Sequence, residues 1–187
     1  PVTEKKALPK AKKAALKPAS SKAKVAQKDA QKHIKAKKMS IASLFKRYNK
    51  KLTERQLADY ADFIMQASEQ FGLDPLVIAA VIINESTVRP DVVSKGGDYG
   101  LMQVRWKVHR KNIVKKYPHI KSAKNILHPK YNVLVGSEIL SRYMTASENN
   151  LRGGLLRYSA GNKKLVDRVV AVRNKLETSY LSYLRSL

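Results

Sequence analysis

The sequence predicts an all-α domain, on three observations. Apolar residues recur three or four apart in segment after segment, residues that start or stop helices stand at the ends of those segments, and no stretch alternates as a half-buried strand for more than a few residues. Length sets the scale: 187 residues suffice for one domain of ordinary size with some excess.

The excess lies at the front. Residues 1–38 are built of Lys, Ala, Ser and Pro with no aromatic residue, and such a segment cannot bury enough apolar area to offset its ordering entropy. A disordered basic tail is the expectation over 1–38, with nascent helix in its Ala/Lys stretches. Residues 39–51 form a connecting segment in which Met39–Tyr48 brings the first large apolar residues and suits a short docking helix.

The folded part is expected over 52–187. Thr53 and Gln56 form a capping box, in which each side chain serves an otherwise unpaired backbone N–H. Leu57, Ala61, Ile64, Ser68 and Phe71 then share one helical face, which Gly72 closes. Asp74 as N-cap and Pro75 at the first helical position open a second helix to about Ser86, apolar all round and so destined for the middle of the core. A turn-rich loop runs from Val88 to Gly100. Further helices are expected over about 107–117, 129–146, 151–158 and 164–184, the last carrying Leu165, Val169, Val172, Leu176, Tyr180 and Tyr183 at helical spacing.

Composition narrows the function. There is no cysteine, so disulfides, zinc fingers, iron–sulfur clusters and thiol nucleophiles are excluded. The four His have no ligand-like spacing and no phosphate-cradling Gly-rich loop occurs, so neither metal nor cofactor is expected, and His109 and His119 read as basic surface. No apolar run reaches the roughly 18 residues of a membrane span. The chain starts at Pro1 rather than Met, and a signal peptide removed upstream is the expectation. The net charge is +24, of which residues 1–51 hold +15 (17 Lys/Arg against Glu4 and Asp29). Both parts are basic, which points to an anionic partner: nucleic acid, an anionic lipid surface or an acidic polymer such as a cell-wall glycan.

One carboxylate stands out. The run Leu76–Ile83 is apolar without interruption and delivers Asn84 and then Glu85. On a helix, Glu85 shares its face with Ile78, Val81 and Ile82, all branched aliphatics. A carboxyl so placed loses hydration and its pKa rises, leaving an acid able to protonate a leaving oxygen near neutral pH. The same position also suits an ionised, idle residue at a solvated helix end.

The following residues decide between these. The stretch "ESTVRPDVVSKGGDYGLMQVRW" resembles the signature of the soluble lytic transglycosylase (SLT) domain, the family-1 lytic transglycosylases, with Glu85, Ser86, Pro90, Ser94, Gly96, Gly97 and Gly100-Leu101-Met102-Gln103 on the pattern. Two later blocks, "NILHPKYNVLVGSEIL" and "RYSAGN", resemble the family's downstream motifs, and the likeness spans roughly residues 57–165. The Asp98-Tyr99 insertion is similar to the small specialised members that accompany secretion systems, pili or phage virions. Three positions depart from the pattern: Arg105 in place of Asn, His128 in place of Asp, and Ser159 in place of Asn.

The resemblance implies a lysozyme-like helical fold and cleavage of peptidoglycan strands between N-acetylmuramic acid and N-acetylglucosamine, with a 1,6-anhydro ring formed in place of hydrolysis. Glu85 would be the single acid/base. Tyr158 would place its hydroxyl near it, Ser94, Met102 and Gln103 would line the muramic subsite, and Tyr99 and Ser159 would flank it. A hydrolase needs a second carboxyl, at about 5 Å for retention or about 6.5–9.5 Å for inversion. Asp91 and Asp98 are the acids available in the loop, so a lysozyme-type hydrolase is one alternative. A basic nucleic-acid-binding protein is the other. The resemblance places the protein in the periplasm or exported to the cell envelope, with a virion as alternative.

Overall fold

The computed structural model describes residues 21–187. Eight helices and one small hairpin make up these residues: α1 (Ser21–Tyr48), α2 (Glu54–Phe71), α3 (Pro75–Ser86), β1 (Asp98–Tyr99), β2 (Val104–Arg105), α4 (Trp106–Lys116), α5 (Ala123–Ile126), α6 (Pro129–Thr145), α7 (Leu151–Tyr158) and α8 (Lys163–Ser186). The class is all-α, as expected. None of the described helices is long and apolar enough to cross a membrane.

The middle of the molecule is α3. Every residue from Pro75 to Ile83 is buried, and α1, α2 and α8 pack around this helix. Each Leu, Ile or Val so buried contributes about 1.5–3 kcal/mol relative to exposure, which is why an apolar cylinder ends up in the centre. Its ends are fixed by local chemistry. The Asp74 side chain accepts from the Leu76 N–H at the start, and Thr87 closes the end in a left-handed conformation. The turn before it is equally explicit: the Thr53–Gln56 capping box forms, and Gly72 adopts φ 64° to end α2.

The front of the chain departs from the sequence reading. Residues 1–20 of the expected disordered tail lie outside the described residues. From Ser21 onward the chain is a continuous helix, so 21–38 is not tail and 39–51 is not a separate short element. Local propensity and docking together explain this. Ala and Lys are good helix formers, and Ala36, Ser40, Ile41 and Phe45 fall on one face and are fully buried. Ser40 donates to the Leu176 carbonyl at 2.7 Å, His33 Nδ1 and the Tyr180 hydroxyl stand 2.5 Å apart, and Lys38 pairs with Asp62. The partners that order this helix lie far along the sequence, in α2 and α8.

The expected loop after α3 is present and folds on itself. Asp98 faces Arg105 and Tyr99 faces Val104 in the antiparallel β1–β2 pair, while the Gly100 N–H donates to the Val92 carbonyl at 2.8 Å. The short α5 was not expected; its signal is a Ser122–Asn125 capping box, with Asn in the place usually held by Glu or Gln.

Candidate active site

A cleft of about 310 Å³ opens where the last turn of α3 meets the hairpin, α4, α6, α7 and the start of α8. Glu85 lines it, together with Asp98, Gln103, Arg105, His109, Tyr143, Arg157, Tyr158 and Ser159. The buried helix carries the carboxyl to the wall of this cleft. Burial, reinforced by the negative charge of Asp98 and opposed by the Arg168 guanidinium, raises the Glu85 pKa to about 7. Among the described residues no hydrogen bond to the Glu85 carboxyl acts on its titration.

Asp98 is held in the opposite state. Arg105 grips it with two bonds, Nε to Oδ1 at 2.6 Å and Nη2 to Oδ2 at 2.9 Å. The Ser94 hydroxyl donates to Oδ2 at 2.9 Å and accepts from the Asp98 N–H at 3.0 Å. The Arg105 hydrogen bonds hold the Asp98 carboxyl below the usual carboxylate range against the opposing effect of burial. Asp91 lies elsewhere, exposed beside Tyr48, Lys50 and Arg89 in a separate surface depression.

The Gly-Leu-Met-Gln turn forms the floor. Asn132, fully buried in α6, clasps it: its Oδ1 accepts from the Met102 N–H at 2.7 Å, and its Nδ2 donates to the Tyr99 carbonyl at 2.7 Å and to the Ile126 carbonyl at 2.9 Å. The approach is close enough that two glycines are required. Gly100 has φ 73° and no room for a Cβ beside the Asn132 amide, and a Cβ on Gly136 would stand 2.7 Å from Met102 Cβ. From α7, the Tyr158 hydroxyl donates to the Met102 carbonyl at 2.7 Å. Burial and the nearby Glu85 carboxyl raise the Tyr158 pKa, so the phenol stays protonated.

The residues singled out from sequence therefore divide. Glu85, Gln103, Tyr158 and Ser159 come together in the cleft. Met102 is fully buried beneath it rather than lining it. Ser94 orients Asp98, and Tyr99 packs half-buried against the core; neither is among the lining residues. Gln103 lines the cleft with φ 48°, yet its amide Nε2 donates back to the Val92 and Gly100 carbonyls at 3.1 and 2.9 Å. The Ser159 hydroxyl turns to its own helix end, bonding the Leu156 carbonyl at 3.3 Å. Sequence reasoning missed Arg105, Tyr143 and Arg157 as lining residues, and it read His109 as surface. His109 is half-buried in the cleft, and burial with the positive charges of Arg142 and Arg105 lowers its pKa. Helical spacing on α4 carries no sign of this, because the charges that act on His109 come from Arg142 on α6 and Arg105 in the hairpin.

Comparison with known proteins shows the family. The family model for the transglycosylase SLT domain matches residues 62–181. The chain belongs to the transglycosylase SLT domain family. An endo-type membrane-bound lytic murein transglycosylase A from Citrobacter koseri is 26% identical over 145 residues, covering 65% of this chain and 70% of that protein. The protein of the same description from Klebsiella pneumoniae is 28% identical over 99 residues, 50% of this chain and 47% of that one. A membrane-bound lytic murein transglycosylase C from Edwardsiella ictaluri is 28% identical over 104 residues, and the match spans 54% of this chain but only 28% of that protein. Among solved structures, an inactive mutant of the lytic transglycosylase Slt from Pseudomonas aeruginosa superposes with a TM-score of 0.51 at 20% identity, over 66% of this chain and 23% of that one, a likeness of fold. In this SLT domain the matched region begins inside α2, so α1 lies outside it.

Proposed function

We propose that this SLT domain is a peptidoglycan lytic transglycosylase in which Glu85 is the single acid/base. One observation carries the reading: a carboxyl with a pKa raised to about 7, on the wall of a cleft built from the family's own motifs. Near neutral pH such a group is available in both protonation states, as a general acid that must next act as a base requires.

The reaction runs in two halves. Protonated Glu85 donates to the glycosidic oxygen between N-acetylmuramic acid and N-acetylglucosamine, the C1–O bond breaks, and the leaving sugar departs as an alcohol. The Glu85 carboxylate then takes the proton of the muramic C6 hydroxyl, whose oxygen attacks C1 and closes the 1,6-anhydro ring. Glu85 ends protonated again, by the C6 hydroxyl proton, while its original proton leaves on the departing sugar, and no water is consumed. One carboxyl suffices because the substrate supplies the nucleophile.

The state of Asp98 supports this reading over the hydrolytic alternative. A water-activating base works best with a pKa near the working pH, whereas the bonds from Arg105 hold Asp98 below the usual carboxylate range and make it a weak base. The nucleic-acid alternative draws on charge alone, and the relatives above are named for murein. Action in the cell envelope follows from a peptidoglycan substrate. The Asp98-Tyr99 insertion and the basic front of the chain support service to a secretion system, a pilus or a virion, which co-purification with such a machine tests. The activity itself is tested by digesting purified sacculi with the wild type and with Glu85→Gln: anhydro-muropeptides from the first and none from the second are expected, and equal release by both would overturn the assignment.

A further inference from the structure

The chain reverses sharply after Glu85, and the reversal is strained. Thr87 and Val88 both adopt left-handed conformations, with φ 54° and 58°. Both are β-branched, the residue type for which that region is most unfavourable. Such a pair persists only where its surroundings over-determine it. Part of the hold is local. The Thr87 N–H donates to the Ile83 carbonyl at 3.1 Å, the Arg89 N–H and Nε reach the Ser86 carbonyl at 3.2 and 3.0 Å, and the Val88 side chain is fully buried.

The rest comes from a distant element. Asn49, just past the end of α1, donates from Nδ2 to the Val88 carbonyl at 3.0 Å. Asn49 is itself fixed at every other polar atom: its N–H donates to the Phe45 carbonyl at 2.8 Å, its Oδ1 accepts from the Lys51 N–H at 3.1 Å, and its carbonyl accepts from the Leu52 N–H at 3.3 Å. The Lys51 contact assigns the amide's orientation, since only the oxygen accepts from a backbone N–H. A rigid donor thus meets the strained turn three residues beyond the acid.

We infer that Asn49 is a positioning residue for Glu85, holding the left-handed Thr87–Val88 turn so that the last turn of α3 sets the carboxyl in the cleft. This rests on the reading of Glu85 as acid/base. It also makes α1, which lies outside the family-matched residues 62–181, part of the apparatus that aligns the acid. Without the Nδ2 donor, the turn relaxes toward conformations that Thr and Val prefer, the end of α3 loosens, and Glu85 moves toward water.

Asn49→Asp tests this with almost no change of shape. It keeps the acceptor for Lys51 and replaces the donor with a carboxylate oxygen facing the Val88 carbonyl. The expected result on soluble glycan strands is a loss of about tenfold or more in kcat with KM within about twofold, at temperatures where melting shows the variant folded. Asn49→Asp with Thr87→Gly should recover part of the loss, because glycine accepts the left-handed conformation freely. Independently of turnover, the Glu85 carboxyl followed by NMR should titrate about half a pH unit or more lower in Asn49→Asp, as hydration increases while Asp98, Arg168 and Tyr158 still face it. An unchanged kcat and an unchanged Glu85 titration in the folded variant would overturn the inference, as would a loss of activity that follows the unfolded fraction alone. A wild type that releases no anhydro products would instead sink the reading of Glu85, and the NMR comparison would still decide the role of Asn49.

Discussion

Glu85 and Asp98 share one cleft and are held in opposite protonation tendencies: burial lifts Glu85 to a pKa of about 7, while Arg105 keeps Asp98 below the usual carboxylate range. Two acids in one site thus differ because burial dominates at one and a guanidinium grips the other. The pair also interacts, since the Asp98 charge disfavours a second negative charge at Glu85.

The first prediction follows from that burial. The folded-state pKa of Glu85 exceeds its unfolded value, so the native state binds more protons between about pH 4.5 and 7 and loses stability as pH rises through that window. Glu85→Gln carries no such penalty. The variant should match the wild type in stability at pH 4 and exceed it at pH 8, by about 3 kcal/mol at most. Denaturant melts at the two pH values check this, and equal stability at pH 8 would show a hydrated, ordinary carboxylate.

Arg105→Gln should change the same balance. With the guanidinium gone, Asp98 loses the bonds that lower its pKa and its orientation in the hairpin. Activity should fall, with the pH–rate profile displaced, while Asp91→Asn leaves both unaltered because Asp91 lies outside the cleft. Steady-state rates across pH compare the three proteins.

Asn132→Ala should be among the most damaging single changes. It leaves the Met102 N–H and the Tyr99 and Ile126 carbonyls without their partner in the interior, a loss of roughly 3–5 kcal/mol. A shift in the chemical denaturation midpoint measures it. A loss below about 1 kcal/mol would mean that the clasp is replaceable by water.

The two parts of the expected tail should behave differently when removed. Residues 1–20 hold six Lys and one Glu. Their deletion should leave kcat on short soluble strands nearly unchanged and weaken retention on insoluble sacculi, most visibly at low salt, since about 0.15 M salt screens exposed charges beyond about 8 Å. Deleting 1–38 removes much of α1, including buried Ala36, and should lower the melting temperature as well. Equal sacculus binding by the 1–187 and 21–187 proteins at low salt would remove the role of the charge.

The sequence was most legible where the determinants are local. The limits of α3 and α7, the Thr53–Gln56 box and the Gly72 stop all follow from neighbours within four residues, and the structure reproduces them. Glu85 was legible only in part from its own helix, whose apolar face left an idle residue equally open, and the motif that follows it decided. The extent of α1 was not, because the groups that order it, Leu176, Tyr180 and Asp62, are supplied by other helices. Met102 and Ser94 matched the motif and Tyr99 stood in its insertion, yet their places beneath or behind the cleft depend on how the hairpin docks on Asn132 and Gly136, a register that no motif states. Arg105 was visible only as a departure, and its pairing with Asp98 is a product of the β1–β2 register.

The most direct test of the account is digestion of sacculi in ¹⁸O-labelled water, followed by mass spectrometry of the released ends. If the muramic C6 hydroxyl closes the ring under Glu85, the wild type should yield 1,6-anhydro ends free of ¹⁸O and Glu85→Gln should yield none. Reducing ends carrying ¹⁸O as the main product would contradict the account and make the protein a hydrolase.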